Sequence, residues 1–124
     1  MEIEIKKKLA TYWFTVLQDV ICFEIENLEK EFSKNKNKLP KKFVRRMWKK
    51  SNKSDEGGGE FRILRNGLVF EKVGVNFSEV YGKFNKHFKK KIPGTQKNPK
   101  FWASGISVVI HMKNPKIPAM HFNT

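Results

Sequence analysis

The residues of this chain best suited to chemistry are two histidines ten positions apart, His111 and His121. They lie in segment 107–124, SVVIHMKNPKIPAMHFNT, where polar and apolar residues alternate on both sides of a proline-containing turn. Successive side chains of a strand point to opposite faces of the sheet. Ser107 and His111 therefore share one face before the turn, and His121 and Asn123 share one face after it.

The two halves of this segment are predicted to pair as an antiparallel hairpin. Such pairing gathers the hydroxyl, both imidazoles and the carboxamide on one face and leaves the apolar side chains to the core. A rigid sheet is a common support for a binding site. Two imidazoles also suit a metal ion, although two ligands alone do not complete a catalytic coordination sphere. The residue types leave a hydrogen-bonding site and an incomplete metal site as alternatives.

A tight turn is predicted in the middle of the chain, at Asn66-Gly67. Segments 61–65 and 68–72 flank it with alternating apolar residues, and a two-residue turn between them needs positive φ at both central positions. Segment 75–81 is predicted as a further strand and segment 43–50 as an earlier one. The sequence therefore predicts an antiparallel sheet.

A run of three glycines, Gly57 to Gly59, precedes this hairpin. Glycine permits backbone angles closed to other residues and lets the main chain approach a ligand closely. Alone, the run is more typical of a flexible turn, and it lacks the spacing of a phosphate-binding loop. Beyond it, Arg62 and Glu71 are expected to form a cross-strand ion pair, which contributes little stability if exposed.

Residues 2–32 are predicted to form one amphipathic helix, because apolar residues recur there at steps of three and four. A helix of about thirty residues is roughly 45 Å long, enough to cross a sheet. Cys22, beside the apolar stripe, is expected to be a small packing residue. The stripe predicted to be buried consists of Leu9, Tyr12, Trp13, Val16, Leu17, Val20, Ile21, Leu28 and Phe32.

The net charge of +14 suggests an anionic partner: nucleic acid, an acidic membrane surface or an anionic substrate. Only four of the 26 cationic residues are arginines, and readout of base edges favours arginine. Segment 83–100 is a basic loop that mixes phenylalanines with lysines, as sites for single-stranded nucleic acid do. A small nucleic-acid-binding module is therefore the alternative function, although the recognised motifs of such modules are missing.

The lone cysteine, Cys22, excludes an intramolecular disulfide and suits a reducing compartment, so the chain is expected to be cytoplasmic. No run of apolar residues is long enough to predict a membrane span.

The carboxyl-terminal segment resembles a signature of the oxygen-dependent (aerobic) coproporphyrinogen-III oxidases. That signature runs Gly-hydrophobic-Ser, apolar residues, His, Asn-Pro, Pro and His-X-Asn-X-Arg. The matching positions are Gly105-Ile106-Ser107, Val108 to Ile110, His111, Asn114-Pro115, Pro118 and His121-Phe122-Asn123-Thr124.

Residues 57–78 resemble a second signature of the same family, a glycine run and strand followed by Gly-X-Val-Phe-Glu-Lys-X-Gly-Val-Asn-X-Ser. Two long signatures in the right order make the resemblance specific. The matching positions are Gly67, Val69, Phe70, Glu71, Lys72, Gly74, Val75, Asn76 and Ser78.

The resemblance implies an activity. Such enzymes use molecular oxygen to decarboxylate two propionates of coproporphyrinogen III, yielding protoporphyrinogen IX in haem biosynthesis. They are homodimers with a large antiparallel sheet flanked by helices. They need no organic cofactor, and some bacterial members are credited with a divalent metal, for example manganese. A tetracarboxylate substrate accounts for the basic composition without nucleic acid as a partner.

The resemblance also assigns roles by motif position. His121 would be the catalytic proton donor, and His111 and His121 would be metal ligands. Ser107, Asn123 and the backbone at Thr124 would bind the tetrapyrrole.

Together these features predict a single α+β domain over residues 1–124, with a long amino-terminal helix packed on an antiparallel sheet of about five or six strands. Its parts are a helix over 1–33, strands over 43–82, the basic loop 83–100 and the strand hairpin 101–124. The family's pattern is longer and continues with an arginine, so the sheet is incomplete relative to the family's fold. The chain is therefore expected to be either the amino-terminal portion of an active oxidase or a non-catalytic remnant of one.

Overall fold

In the computed structural model, which describes residues 2–124, one antiparallel sheet is covered on one face by a long helix. The strand order is β1-β2-β3-β4-β5, so each strand pairs with its neighbours in sequence. This arrangement confirms the predicted α+β class. Within residues 2–124, no helix is long and apolar enough to cross a membrane. The elements are α1 (Ile3–Ser33), β1 (Val44–Lys49), β2 (Gly57–Arg65), β3 (Phe70–Lys83), α2 (Lys86–Lys89), β4 (Lys100–Met112) and β5 (Met120–Asn123).

The core lies between α1 and the middle of the sheet. Val73 and Val75 of β3 are fully buried, and their partners across the β3–β4 ladder, Ile110 and Val108, line the same side of the sheet. Cys22 of α1 belongs to this cluster, as predicted for a packing residue. Burying side chains of this size contributes about 1.5–3 kcal/mol each, which fixes α1 over β3 and β4.

The face of α1 that meets the sheet differs from the predicted stripe. Leu17 and Ile21 do pack against the core, but most of the stripe points away from it. Tyr12, for example, is 70% exposed. The stripe prediction was wrong because this helix carries apolar residues on two faces, and the period alone does not say which face is buried. The buried positions are Gln18, Cys22, Ile25, Glu29 and Ser33.

Two polar residues replace apolar ones on the buried face of α1 because they satisfy backbone groups of the sheet. The Gln18 Nε2 donates to the carbonyl oxygens of Glu60 and Val75, at 2.9 and 3.2 Å. The Glu29 carboxylate is fully buried and accepts hydrogen bonds from three successive backbone N–H groups, those of residues 68–70, at 2.7–2.9 Å. Buried polar groups require such partners, so both side chains help to position the sheet against the helix.

The hairpin at Asn66-Gly67 forms, but its turn is wider than the predicted two-residue turn. The last ladder pair is Arg65 with Lys72, and only Asn66 of the two turn residues has positive φ, at 56°. Gly67 is required for another reason, because a Cβ there would collide with the carboxylate of Glu29. The buried carboxylate therefore constrains this loop, together with the positive φ of Asn66.

The predicted segments 68–72 and 75–81 belong to one continuous strand, β3, which begins at Phe70, two residues later than predicted, and passes through Gly74. The predicted ion pair between Arg62 and Glu71 was wrong. Arg62 lies opposite Val75 on the helix side of the sheet and pairs with Asp19 of α1, at 2.7 Å, and with Glu60. Glu71 instead pairs with Lys113, at 3.0 Å.

The glycine run is part of β2 and is not the flexible turn that the run taken alone indicates. A Cβ on Gly57 or Gly59 would collide with a carbonyl oxygen of β3, and one on Gly58 would collide with a carbonyl oxygen of β1. Only glycine lets the first part of β2 lie this close to both neighbouring strands. The close approach is therefore between strands of the sheet itself.

Candidate functional site

The terminal hairpin is formed by β4 and β5, with Ser107 directly opposite Asn123 and Val109 directly opposite His121. His111 lies diagonally from His121 on the same side. The intervening turn is closed by Asn114, whose side-chain oxygen accepts from the backbone N–H of Lys116. All the polar residues predicted from this hairpin therefore lie on the sheet face opposite α1.

The two imidazoles are in direct contact. The Nε2 atoms of His111 and His121 lie 2.9 Å apart, and the rings are stacked with an angle of 21° between their planes. An Nε2–Nε2 hydrogen bond needs one donor and one acceptor, so this contact requires a proton on Nε2 of one ring and none on Nε2 of the other. Both side chains are exposed, which makes that proton accessible to a ligand on this face.

Pairing of the terminal residues depends on Gly105. The backbone of Thr124 exchanges two hydrogen bonds with Ile106, at 2.8 and 3.0 Å. A Cβ at Gly105 would lie only 2.5 Å from the carbonyl oxygen of Thr124. Gly105 thus allows β5 to continue alongside β4 and brings Asn123 and Thr124 next to Ser107.

On the helix side, Met120 and Phe122 extend past α1 and remain 49% and 37% exposed, so the prediction that they belong to the core was wrong.

The face opposite α1, hereafter the open face, is arranged in rows that cross the strands. One row passes from Arg46 through Phe61, Asn76 and Ser107 to Asn123, as the ladder partners show. An adjacent row runs from Val44 through Ile63, Gly74 and Val109 to His121.

The charge of the open face is cationic. Arg65 and Lys72 lie side by side next to His111, and Arg46 lies at the far edge of the sheet. By contrast, two carboxylates lie on the α1 side of the sheet. Glu60 accepts a hydrogen bond from Arg62 there, and Glu79 accepts one from Thr11. The open face is therefore suited to an anionic ligand.

The sequence analysis assigned no site role to two residues of this face, Trp48 and Asn76, although Asn76 matches the second signature. The indole Nε1 of Trp48 donates to Oδ1 of Asn76 at 2.9 Å, across the intervening strand β2. The indole also lies over Gly59, where a Cβ would be 3.0 Å from its Cζ2. The available signal was the period of two along β1 and β3, which places both residues on the same face as Ser107 once the strand order is known.

Other candidate groups lie elsewhere. Cys22 is buried in the core, and this burial raises the pKa of its thiol to about 11, so it is suited to packing and not to reaction. His87, to which the sequence assigned no role, lies in α2.

In the basic segment 83–100, the phenylalanines contact one another. The ring centroid of Phe84 lies 6.5 Å from that of Phe88 and 4.7 Å from that of Phe101. Among residues 2–124, no three His, Cys, Asp or Glu side chains lie close enough to hold a metal ion together.

The fold and the site define an α+β protein that presents a paired-histidine, cationic sheet face to a ligand. Comparison with known proteins identifies the family. Residues 9–124 match the family described as coproporphyrinogen III oxidase. This match covers most of the chain, so the chain belongs to that family, as the two signatures predicted.

Relatives from Rickettsia agree with this assignment. The chain is 49% identical over all its 124 residues to the oxygen-dependent coproporphyrinogen-III oxidase of Rickettsia felis, and it covers 43% of that protein. It is 49% identical over 118 residues to the enzyme of the same name from Rickettsia bellii, covering 41% of it, and 48% identical to that of Rickettsia africae, covering 43%. The chain thus spans less than half the length of the relatives it matches.

Proposed function

We propose that this chain is the substrate-holding and proton-donating part of an oxygen-dependent coproporphyrinogen-III oxidase, in which two propionates of the substrate become vinyl groups. The observation that carries the proposal is the contact between His111 and His121 on the cationic open face, beside Ser107 and Asn123. The 49% identity to enzymes of that name supports it.

The open face suits this substrate class in both shape and charge. The rings of Trp48 and Phe61 lie against Gly59 and Gly74, so the middle of the face is an aromatic surface on which a broad macrocycle can lie. The surrounding Arg46, Arg65 and Lys72 attract carboxylates and steer an anionic substrate to the face. Ser107 and Asn123 then supply hydrogen bonds from the same row.

A proton donor is required by the balance of the reaction. Each propionate loses CO2 and the equivalent of a hydride from the carbon next to the pyrrole, and molecular oxygen takes up the two electrons and two protons as hydrogen peroxide. One of these protons comes with the hydride, so each decarboxylation consumes one proton from outside the substrate, and conversion of both propionates consumes two. The proton shared by His111 and His121 is available at the open face, and we assign its delivery to His121.

The residues also fit a metal ion in part. Two imidazole nitrogens that bind one metal at about 2.0–2.1 Å lie about 3 Å apart or slightly more, and the two Nε2 atoms are separated by 2.9 Å. In place of the shared proton, His111 and His121 would hold a divalent metal such as manganese as neighbouring ligands, with further ligands from outside the residues described. The metal would supply Lewis acidity there. No organic cofactor is included in the proposal.

We further propose that the protein is a homodimer and is located in the cytoplasm. The outer face of α1 exposes large apolar side chains, including Leu9, Tyr12, Trp13 and Val20. Exposed apolar surface of this kind favours association. The free thiol of Cys22 suits a reducing compartment. Light scattering should show a mass that rises with concentration towards twice that of one chain, and a constant monomer mass would contradict self-association.

The catalytic proposal is tested in a chimera in which residues 1–124 replace the matched 43% of the Rickettsia felis relative. With coproporphyrinogen III and air, the chimera should form protoporphyrinogen IX, and without oxygen it should not. His121→Gln should lower the rate about 100-fold or more, because a positioned general acid contributes that much. His87→Gln, a matched control in α2, should leave the rate within about twofold. Equal rates for the two variants would refute the role of His121.

A further inference from the structure

The contact between Trp48 and Asn76 fixes the orientation of an amide in the middle of the open face. An indole Nε1 can only donate a hydrogen bond, so the atom of Asn76 at 2.9 Å from it is the acceptor Oδ1. The two N–H groups of Asn76 Nδ2 then point away from the indole. Both residues are half-buried, so this orientation is held while the amide remains accessible.

Asn76 lies in the same row as the residues of the terminal hairpin. Its ladder partner on β4 is Ser107, and the partner of Ser107 on β5 is Asn123. The row continues in the other direction through Phe61 to Arg46. The row crosses all five strands and therefore covers four inter-strand spacings of about 4.8 Å, or about 19 Å in all. A broad ligand lying against this row would touch the amide between the two ends.

We propose that Asn76 is a further substrate-binding residue, which donates from Nδ2 to a carboxylate of the tetrapyrrole, and that Trp48 is the positioning residue that holds its amide in the donating orientation. The inference rests on the proposed function, because it takes its ligand from there. Arg46, at the edge of the row, supplies positive charge on the same side as this carboxylate.

The chemistry of the ligand identifies the carboxylate as the acceptor. In a porphyrinogen all four pyrrole nitrogens carry hydrogen and are donors, so they cannot accept a bond from Nδ2. The propionate carboxylates are the strong acceptors of the molecule, and hydrogen bonds to ionised groups are about twice as strong as neutral ones. A donor at position 76 therefore selects a carboxylate, whereas the Oδ1 of Asn123 remains suited to a pyrrole N–H.

The test is the affinity of the 124-residue chain for coproporphyrin III, the stable aromatic form that keeps all four carboxylates. Asn76→Asp preserves the acceptor for Trp48 but replaces the donor with an anion. It should weaken binding about tenfold or more, because like charges in contact are strongly unfavourable. Asn35→Asp makes the same change of charge in the exposed turn after α1 and should change affinity less than about twofold. Trp48→Phe keeps a ring over Gly59 but removes the N–H and should weaken binding several-fold.

Two further results separate the possible failures. If Asn76→Asp folds and binds as tightly as the wild type while Ser107→Ala binds more weakly, this inference is overturned and the proposed function stands. If the wild-type chain binds no coproporphyrin, both are overturned. Should Asn76→Asp fail to fold, the wild type still decides the matter by NMR. Its Asn76 Nδ2 and Trp48 Nε1 proton signals must shift when coproporphyrin is added, and unshifted signals would overturn the inference.

Discussion

Replacing Glu29 with alanine should destabilise the protein far more than any other single exchange of a carboxylate on α1. The side chain is fully buried and accepts three hydrogen bonds from the backbone N–H groups of residues 68–70. Alanine would leave these donors without their partner. A buried donor left unsatisfied costs about 1–3 kcal/mol, and a partly buried one costs less because water can replace the acceptor.

The bond to Phe70 is buried, and those to Leu68 and Val69 are partly buried. We therefore expect Glu29→Ala to lower the free energy of unfolding by about 3 kcal/mol. With a urea dependence of about 2 kcal/mol per molar, the midpoint of unfolding falls by about 1.5 M. Glu29→Gln keeps one acceptor oxygen and should show about half this loss. Glu31→Ala, an exposed position of the same helix, is the control and should change stability by less than about 0.5 kcal/mol.

A double-mutant cycle with Gly67 tests the geometry as well as the energy. Gly67→Ala places a Cβ against the carboxylate of Glu29, so it should destabilise the wild type. In the Glu29→Ala background this clash is removed, and the cost of Gly67→Ala should fall by about 1 kcal/mol or more. Urea unfolding followed by circular dichroism measures all four proteins. Additive effects, or a Glu29→Ala protein as stable as Glu31→Ala, would refute the account of this loop.

Two other predictions concern the terminal hairpin and the core. Gly105→Ala should displace the carbonyl oxygen of Thr124 and speed amide exchange at Thr124 and Ile106 about tenfold or more. Gly74→Ala is the control and should not speed this exchange, because its Cβ would meet only the ring of Phe61, at 3.5 Å. Equal exchange rates in the two variants would contradict the role of Gly105. Because burial raises the pKa of the Cys22 thiol from 9.0 to about 11, the unfolded state loses its proton first. The free energy of unfolding should therefore fall as the pH rises from about 9 towards 11. Cys22→Ala should not show this fall, and an equal fall in that variant would mean that another group is responsible.

The sequence predicted those parts of the fold that depend on local patterns. The length of α1, the position of the hairpin near Asn66-Gly67 and the shared face of His111 and His121 all follow from period and turn chemistry. Each of these signals is complete within a short stretch of chain, so one sequence suffices to interpret it.

The parts that were missed depend on contacts between distant stretches. The buried face of α1 is set by Gln18 and Glu29, whose partners lie about 40 positions or more further along the chain. Arg62 found Asp19 of α1 instead of Glu71, because strand register and helix placement together decide its neighbours. Trp48 and Asn76 meet only because β1, β2 and β3 are adjacent in the sheet. Periodicity along a single segment carries no information about such partners.

The central claim is that the tetrapyrrole binds on the open face, and mapping the bound ligand by two-dimensional NMR tests it most directly. On addition of coproporphyrin III, the amide signals that move should belong to the rows through Ser107 and His121. Signals of the outer face of α1 and of segment 83–100 should stay in place. Shifts confined to α1 or to that lysine-rich segment, with the signals of Ser107 and His121 unchanged, would contradict the account.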